Sequence, residues 1–383
     1  MTVQIVFISD IHMSNSLPHA VATEDGTDRL ADQVALWGRV HKYAAEKSAR
    51  AIFVLGDLFD KSRVDAITLK ATIRALAAAP CPVYLIAGNH DAVSTSGERF
   101  TVEAFGEMGN PRIHYWKTGE RFAFPDAPWL GFWPLEYSTL ERARARIAEM
   151  KTPDRREGTT EVLLMHQSVQ GCTHGGWRCD DGLEPDEVLK QFDWCFSGHF
   201  HQPQNFGREN RGLYLGAPLH LRYDDVDRKA GFWSVRFKPD GSVKRVFVDG
   251  GCPRFFEIGW KEFEAGKRTA LPVKGDYVRI VVTATAAEYE ALRPAVDAAV
   301  AKLTAAGFKA SKRHKPVYQH AVRIKPEAAG EAEISNVLTP ERAAREYLKA
   351  DGVELGSLDP KKLAQFATQA LSAARAKTGE KAA

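Results

Sequence analysis

Five short apolar runs in this chain each end directly in a cluster of polar, ligand-type residues, and this repeated juxtaposition restricts the fold more than any other feature. The runs are residues 3–9, 51–55, 82–87, 161–165 and 193–197, each short and rich in strand-forming residues. They lead into Asp10-Ile11-His12, Gly56-Asp57-Leu58-Phe59-Asp60, Gly88-Asn89-His90-Asp91, His166 and Gly198-His199-Phe200-His201. Ligands of an open α/β sheet bind outside the carboxyl ends of its strands, so the five clusters are expected along one edge. The crossovers are amphipathic stretches. Residues 29–47 put Leu30, Val34, Trp37 and Val40 on one helical face, and 65–79 repeat the pattern through Ile67, Ala71 and Leu76. Further strands are expected at 212–216, 231–238 and 242–248, the last two joined at Asp240-Gly241. The architecture is α/β.

Behind residue 260 the pattern changes. A strand (277–284), a helix (288–306) and a second strand (317–324) form a small βαβ-like unit, whose helix carries Tyr289, Leu292, Val296, Val300 and Leu303 on one face. The basic run Lys309, Lys312, Arg313, His314 and Lys315 is expected in the turn before that second strand, as a solvated loop. After a polar stretch at 325–335, Thr339-Pro340 and Asp359-Pro360 each read as an N-cap followed by a helix-starting proline. The chain therefore divides into 1–260, 261–326 and 327–383. From Lys261 onward there are 21 Lys+Arg against 15 Asp+Glu, whereas the part before it has 31 against 34. A field of that size helps steer a polyanion without identifying one. No apolar run approaches the ~18 residues of a membrane helix, and the first ten residues lack the basic start of a secretory signal. Five scattered cysteines without metal spacing suit a reducing compartment, so a cytoplasmic protein without disulfides is expected.

The clusters point to metal chemistry. An i, i+2 spacing turns Asp10 with His12, and His199 with His201, the same way from extended backbone, so that each pair grips one centre. Asn89 and His90 are adjacent and must diverge, one toward metal and one toward substrate. The donors are His, Asp and Asn with no thiolate, which suits Mn²⁺, Fe or Zn²⁺. Seven groups are too many for one ion, whereas a pair of ions ~3.5–4 Å apart uses them and hydrolyses phosphoesters.

The ordered set D-x-H, G-D-x-x-D, G-N-H-[DE], a lone His and G-H-x-H resembles the calcineurin-like metallophosphoesterase superfamily. Within it the chain is most similar to the SbcD nuclease family and its phage recombination relatives. The second likeness rests on residues 193–199 and on Tyr214-Leu215-Gly216-Ala217-Pro218 followed by Lys229-Ala230-Gly231-Phe232. Ala217 replaces the usual Ser or Thr. The resemblance covers roughly residues 1–250. It implies a core of two sheets packed as a sandwich and flanked by helices, with a small α+β capping domain and a helical C-terminal tail. It implies two divalent ions, expected to be Mn²⁺. Asp10, His12, Asp57 and His201 would hold the first; Asp57, Asn89, His166 and His199 the second, with Asp57 bridging. His90 would act on the substrate with Asp91 orienting its ring, and Asp60 would stand behind the ligands. The implied activity is DNA phosphodiester hydrolysis, exonucleolytic and endonucleolytic, in repair or recombination. The implied partners are DNA ends and single strands, an SbcC-like ATPase of the SMC type, and a second copy in a homodimer.

Other features are weaker. Cys172, His174 and Cys179 lack a fourth ligand for zinc and are expected in a polar loop on the substrate side. Trp129, Phe132, Trp133 and Tyr137 are expected to pack in the core. In the tail, Leu363, Phe366, Ala367, Ala370, Leu371 and Ala374 form one apolar stripe, with Ala344, Tyr347 and Leu348 on a shorter helix before it. Such a pair suits docking in a partner's groove. The rival function is a stand-alone phosphoesterase acting on a nucleotide, phospholipid head group or phosphoprotein. A scaffold with a degenerate site is disfavoured by the intact ligand set.

Overall fold

A computed structural model describes residues 2–94, 98–150, 158–266 and 272–317. Two six-stranded sheets stack face to face. The first runs in the order Val243–Asp249, Gly231–Phe237, Val3–Ile8, Ala51–Leu55, Val83–Ile86, Ile113–Tyr115, parallel from Val3–Ile8 onward. The second runs Gln204–Phe206, Gly212–Tyr214, Trp194–Gly198, Thr160–His166, Ala127–Leu135, Phe122–Phe124, with its four central strands parallel.

The strands are apolar on both faces because both faces are covered, as parallel sheets require. Val3, Ile5 and Phe7 alternate inward and meet Phe53, Phe132, Phe196 and Phe237 between the sheets. Phe7 stacks on Phe196 at 4.8 Å and meets Phe53 edge-on at 5.3 Å. Val6 and Ile8 face outward, under the helices Asp28–Glu46 and Ala66–Ala77. Behind the second sheet, Leu163, Met165 and Cys195 pack on the helices Leu140–Glu149 and Pro185–Leu189. The expected sandwich with flanking helices is therefore observed.

Two helical stripes sit differently from the sequence reading. Val34 is 41% exposed and Ile67 is 46% exposed, while Leu36, Ala44 and Thr72 are buried instead. Periodicity locates a stripe but not its centre, and these two residues end up on a groove between the two helices. Phe132 and Trp133 are buried and Trp129 half-buried, as expected for core aromatics. Tyr137 is half-buried against the core too, and its ring lies 6.2 Å from that of His199.

A smaller parallel sheet, Phe255–Gly259, Tyr277–Ala284 and Lys309–Pro316, packs on the helix Ala286–Ala305 around Val278, Ile280, Val282, Val296 and Leu303. The basic run is therefore strand, not turn. The chain reverses earlier, at Gly307, and the strand begins at Lys309. Two of its charges are spent internally, Lys309 on Asp28 and Lys312 on Asp297. Arg29, fully buried, joins this unit to the sandwich: Nη2 donates to the His220 carbonyl at 2.6 Å, and the guanidinium lies 5.1 Å from both the Phe255 and Tyr277 rings. No described helix is long and apolar enough to cross a membrane. The remainder of the expected strand at 317–324 beyond Val317, the polar stretch and the amphipathic tail lie outside the described residues.

The second sheet holds a buried ion pair. Glu161 is 3% exposed. It accepts from Arg121 Nη2 at 2.7 Å and from Trp133 Nε1 at 2.6 Å. Glu161→Ala leaves the Trp133 indole N–H without this acceptor and Arg121 with only the Pro128 carbonyl, so a loss of roughly 1–3 kcal/mol is expected in urea unfolding. Unchanged unfolding would show that the pair contributes nothing net.

Candidate metal centre

Strands Val3–Ile8, Ala51–Leu55 and Val83–Ile86 end side by side in the first sheet, and Thr160–His166 and Trp194–Gly198 end side by side in the second. The five polar clusters meet at those ends. The backbone there is unusual. Asp10, His12, Asp57 and His199 have φ of 53°, 51°, 50° and 94°, a region that costs a side-chain-bearing residue energy and gathers at functional sites. The bonds Asp10 N to Gly56 O at 3.1 Å and His12 N to Asp57 O at 3.0 Å hold the kinked loops together. Gly56 has φ 85°, and a Cβ on it would lie 2.1 Å from His166 Nδ1, so no other residue fits. The two spaced pairs therefore do not project from extended backbone. Asp10 and His12 still converge, but His199 and His201 separate toward different partners.

Around Asp10, ligand atoms of Asp10, His12 and His201 lie within 4.8 Å of one another, as do those of Asp10, Asp57 and His166, and of His12, Asp57 and His90. Asp57 faces both sides: Oδ2 is 3.3 Å from His166 Nε2 and 3.7 Å from His12 Nε2. Asn89 Oδ1 sits 3.1 Å from His166 Nε2 and 2.9 Å from His199 Nδ1. His12 Nε2 and His201 Nε2 face each other at 3.2 Å. The seven residues thus form one continuous cluster with Asp57 in its middle.

The chemistry of these donors fits divalent cations. His166 Nδ1 lies 2.8 Å from the Leu55 carbonyl and so carries a proton there. In the neutral ring its Nε2 then offers a lone pair to Asp57 Oδ2 and Asn89 Oδ1, which are acceptors too. Lone pairs gathered this way in a buried site demand positive charge among them. The electrostatics of the site make the same demand. Burial works against a charged His166, yet Asp57 and Asp10 outweigh it and raise its pKa to about 9. Burial pushes His12 down to about 3. Burial, then the charge on His166, pushes His199 down to about 3. For Asp57 burial favours the proton, but His166 and His12 hold the carboxyl below its usual range.

His90 stands exposed at the mouth, its Nδ1 2.7 Å from the Asp60 carbonyl and its ring 4.7 Å from that of His12. Asp91 is not its orienting partner. That carboxylate is fully buried and accepts from Gly88 N at 2.9 Å and Phe59 N at 3.0 Å, tying two ligand loops together. Burial, then the neighbouring Asp57 charge, raises it to about 7. Asp60 stands behind the ligands as expected, with Oδ1 3.7 Å from His12 Nδ1.

Two contacts were not read from the sequence. Asp225 faces His201 Nδ1 at 3.9 Å and Ser168 Oγ lies 3.1 Å from His199 Nε2, both on stretches without a motif. His174, expected in a loop on the substrate side, borders the cleft there, its ring 5.8 Å from that of His201. Cys172 and Cys179 are buried and unpaired. The cleft over the cluster has a volume of about 400 Å³ and is bordered by Lys61, His90, His174 and Arg222.

Removing Asp57 takes a carboxylate from the middle of the cluster, so Asp57→Ala is expected to lose both ions in elemental analysis. Asp225→Asn keeps an acceptor for the Leu221 N–H while it removes the charge behind His201. It should weaken Mn²⁺ binding by calorimetry roughly 10- to 100-fold at one position and spare the other. Equal loss at both would contradict the separation of the two histidines.

The family model described as calcineurin-like phosphoesterase matches residues 3–203. Among solved structures, a dimetal phosphatase from Danio rerio is similar at 11% identity and a TM-score of 0.41, covering 65% of this chain and 99% of that one. The calcineurin-like phosphoesterase YfkN from Bacillus subtilis is similar at 13% identity and a TM-score of 0.34, covering 65% and 91%.

Proposed function

The chain belongs to the calcineurin-like phosphoesterase family, and from that premise we propose that it is a two-metal DNA phosphodiesterase of the SbcD type. Membership makes it a metal-dependent phosphoester hydrolase. The observation that supports phosphoester hydrolysis at this site is the exposed His90 beside a cluster centred on Asp57. Asp10, His12, Asp57 and His201 would hold one ion and Asp57, Asn89, His166 and His199 the other, Mn²⁺ being the expected metal. When bound, the ions supply Lewis-acid stabilisation of the phosphoryl oxygens and lower the pKa of water at the site.

The chain's own residues do the rest. The Asp60 carbonyl holds the His90 Nδ1 proton, so Nε2 is the nitrogen presented to substrate. As an imidazolium, with a second proton on Nε2, His90 is placed to donate to a phosphate oxygen and to pass that proton to the leaving oxygen. Asp91 keeps the two loops bearing Asp57 and Asn89 in register. Lys61 and Arg222 border the cleft and suit the phosphates flanking the cut bond. The small unit behind the core and the likeness of residues 193–232 to SbcD-type nucleases support DNA over a small ester. The same reading assigns the tail to an ATPase subunit.

Labelled single-stranded and duplex DNA, assayed with Mn²⁺ or Mg²⁺ beside bis-p-nitrophenyl phosphate, test the substrate. Hydrolysis of the small ester alone would favour the stand-alone phosphoesterase. His90→Asn is expected to keep both metals while kcat falls about 10²- to 10⁴-fold; loss of metal would make His90 a ligand. Deletion from Pro340 onward should leave small-ester hydrolysis and abolish co-purification with the ATPase. A truncated chain that melts early would instead place those helices in the protein's own core.

A further inference from the structure

Between His166 and His199 the chain makes a two-stranded hairpin, Thr173–His174 against Trp177–Arg178. Its turn is Gly175-Gly176, with φ of 57° and 82°, a pair of left-handed residues that matches the twist of a tight hairpin. The register sets His174 directly opposite Trp177. Directly opposed residues project from the same face of a ribbon, with Cβ atoms about 5 Å apart. His174 borders the metal cleft, its ring 5.8 Å from that of the candidate ligand His201 and 5.6 Å from Phe200. Trp177 therefore projects from the same face of the ribbon as His174.

The indole there is 68% exposed. Among the described residues, every other exposed large apolar side chain is aliphatic. The platform beneath it is well held. Gln204 Oε1 accepts from Thr173 N at 2.8 Å, and its Nε2 donates to Thr173 O at 2.7 Å. Gly171 N to Cys179 O and Cys179 N to Cys172 O, both 2.8 Å, continue the ladder over two buried thiols. A flat π-face is thus presented beside a hydrolytic centre by a braced hairpin, with Arg222 on the rim near His174.

We propose that Trp177 is a substrate-binding residue that stacks on an unpaired nucleobase next to the phosphodiester being cut. This rests on the polynucleotide reading above. Every base has a π-face, so the contact is indifferent to sequence, and it is worth most where that face is free. Bases inside a duplex already stack on their neighbours, so Trp177 favours single strands and frayed ends. A phosphoester without a base has nothing to place on it.

The test compares wild type, Trp177→Phe and Trp177→Ala with Mn²⁺. The substrates are a single-stranded oligodeoxynucleotide, the same strand carrying one abasic residue scanned along it, and glycerophosphoethanolamine, a small phosphodiester without an aromatic ring. In Trp177→Ala the ratio of oligonucleotide to small-ester kcat/KM should fall about tenfold, chiefly through KM, and Trp177→Phe should restore most of it. One abasic position should cost wild type a similar factor and cost Trp177→Ala nothing further. An unchanged ratio, with wild type cutting the oligonucleotide, overturns the stacking role and leaves the nuclease reading standing. A parallel fall on both substrates marks a structural role and overturns it as well. Equal abasic penalties in wild type and Trp177→Ala turn the indole over to contact with another protein. Wild type that cuts only the small ester removes the nuclease reading and this proposal together.

Discussion

A buried carboxylate in contact with imidazole lone pairs governs this structure. Asp57 is 2% exposed and lies between His12 and His166, while its Oδ1 accepts from His90 N at 2.8 Å. Such a group is tolerable only with positive charge beside it. The site concentrates its anionic and lone-pair donors where the two sheets end together, and the strands behind them are apolar on both faces. The left-handed φ values at Asp10, His12, Asp57 and His199 are the backbone cost of aiming those donors inward. Asp91, which touches no substrate-side group, holds the Gly56 and Gly88 loops in the arrangement this requires.

The segment around residues 220–228 links the centre to the smaller unit. The His220 carbonyl receives Arg29 Nη2, and His220 Nδ1 accepts from Phe255 N at 3.1 Å at the start of the smaller sheet. Five residues on, Asp225 faces His201 and caps the Leu221 N–H at 2.8 Å. His220 Nε2 closes the loop on the Arg228 carbonyl at 2.9 Å. One short stretch therefore anchors the small unit and stands behind a candidate ligand. Arg29 is sequestered under Phe255 and Tyr277, where cation–π contact compensates part of its lost hydration.

The strands and their polar termini were legible because two signals coincided, apolar β-rich runs and ligand-type residues directly after them. The seven predicted ligands do come together. Asp10 with His12, and His199 with His201, depart from extended backbone because these clusters lie past the strand ends, where neighbouring loops dictate φ. Asp91 was misplaced because adjacency to His90 says nothing about which way a fully buried carboxylate turns. The basic run from Lys309 was assigned to a turn because its polarity hides strand character; in the fold, Asp28, Asp297 and the Tyr289 ring absorb its Lys309, Lys312 and His314 side chains.

From the sequence alone follow the α/β class, the parallel strands and the residue types at their ends, since these depend on local periodicity and on the donor chemistry of His, Asp and Asn. The facing of His199 with Asn89 and of His201 with His12 follows the grouping that the family resemblance implies. Tertiary structure set Asp225 opposite His201 and Ser168 against His199, from loops without any motif. It also decided that Trp177 sits opposite the cleft-lining His174, through a Gly-Gly turn and a cross-strand register. Such contacts join residues far apart in the chain, and their geometry is set by how two sheets pack, which no local pattern encodes.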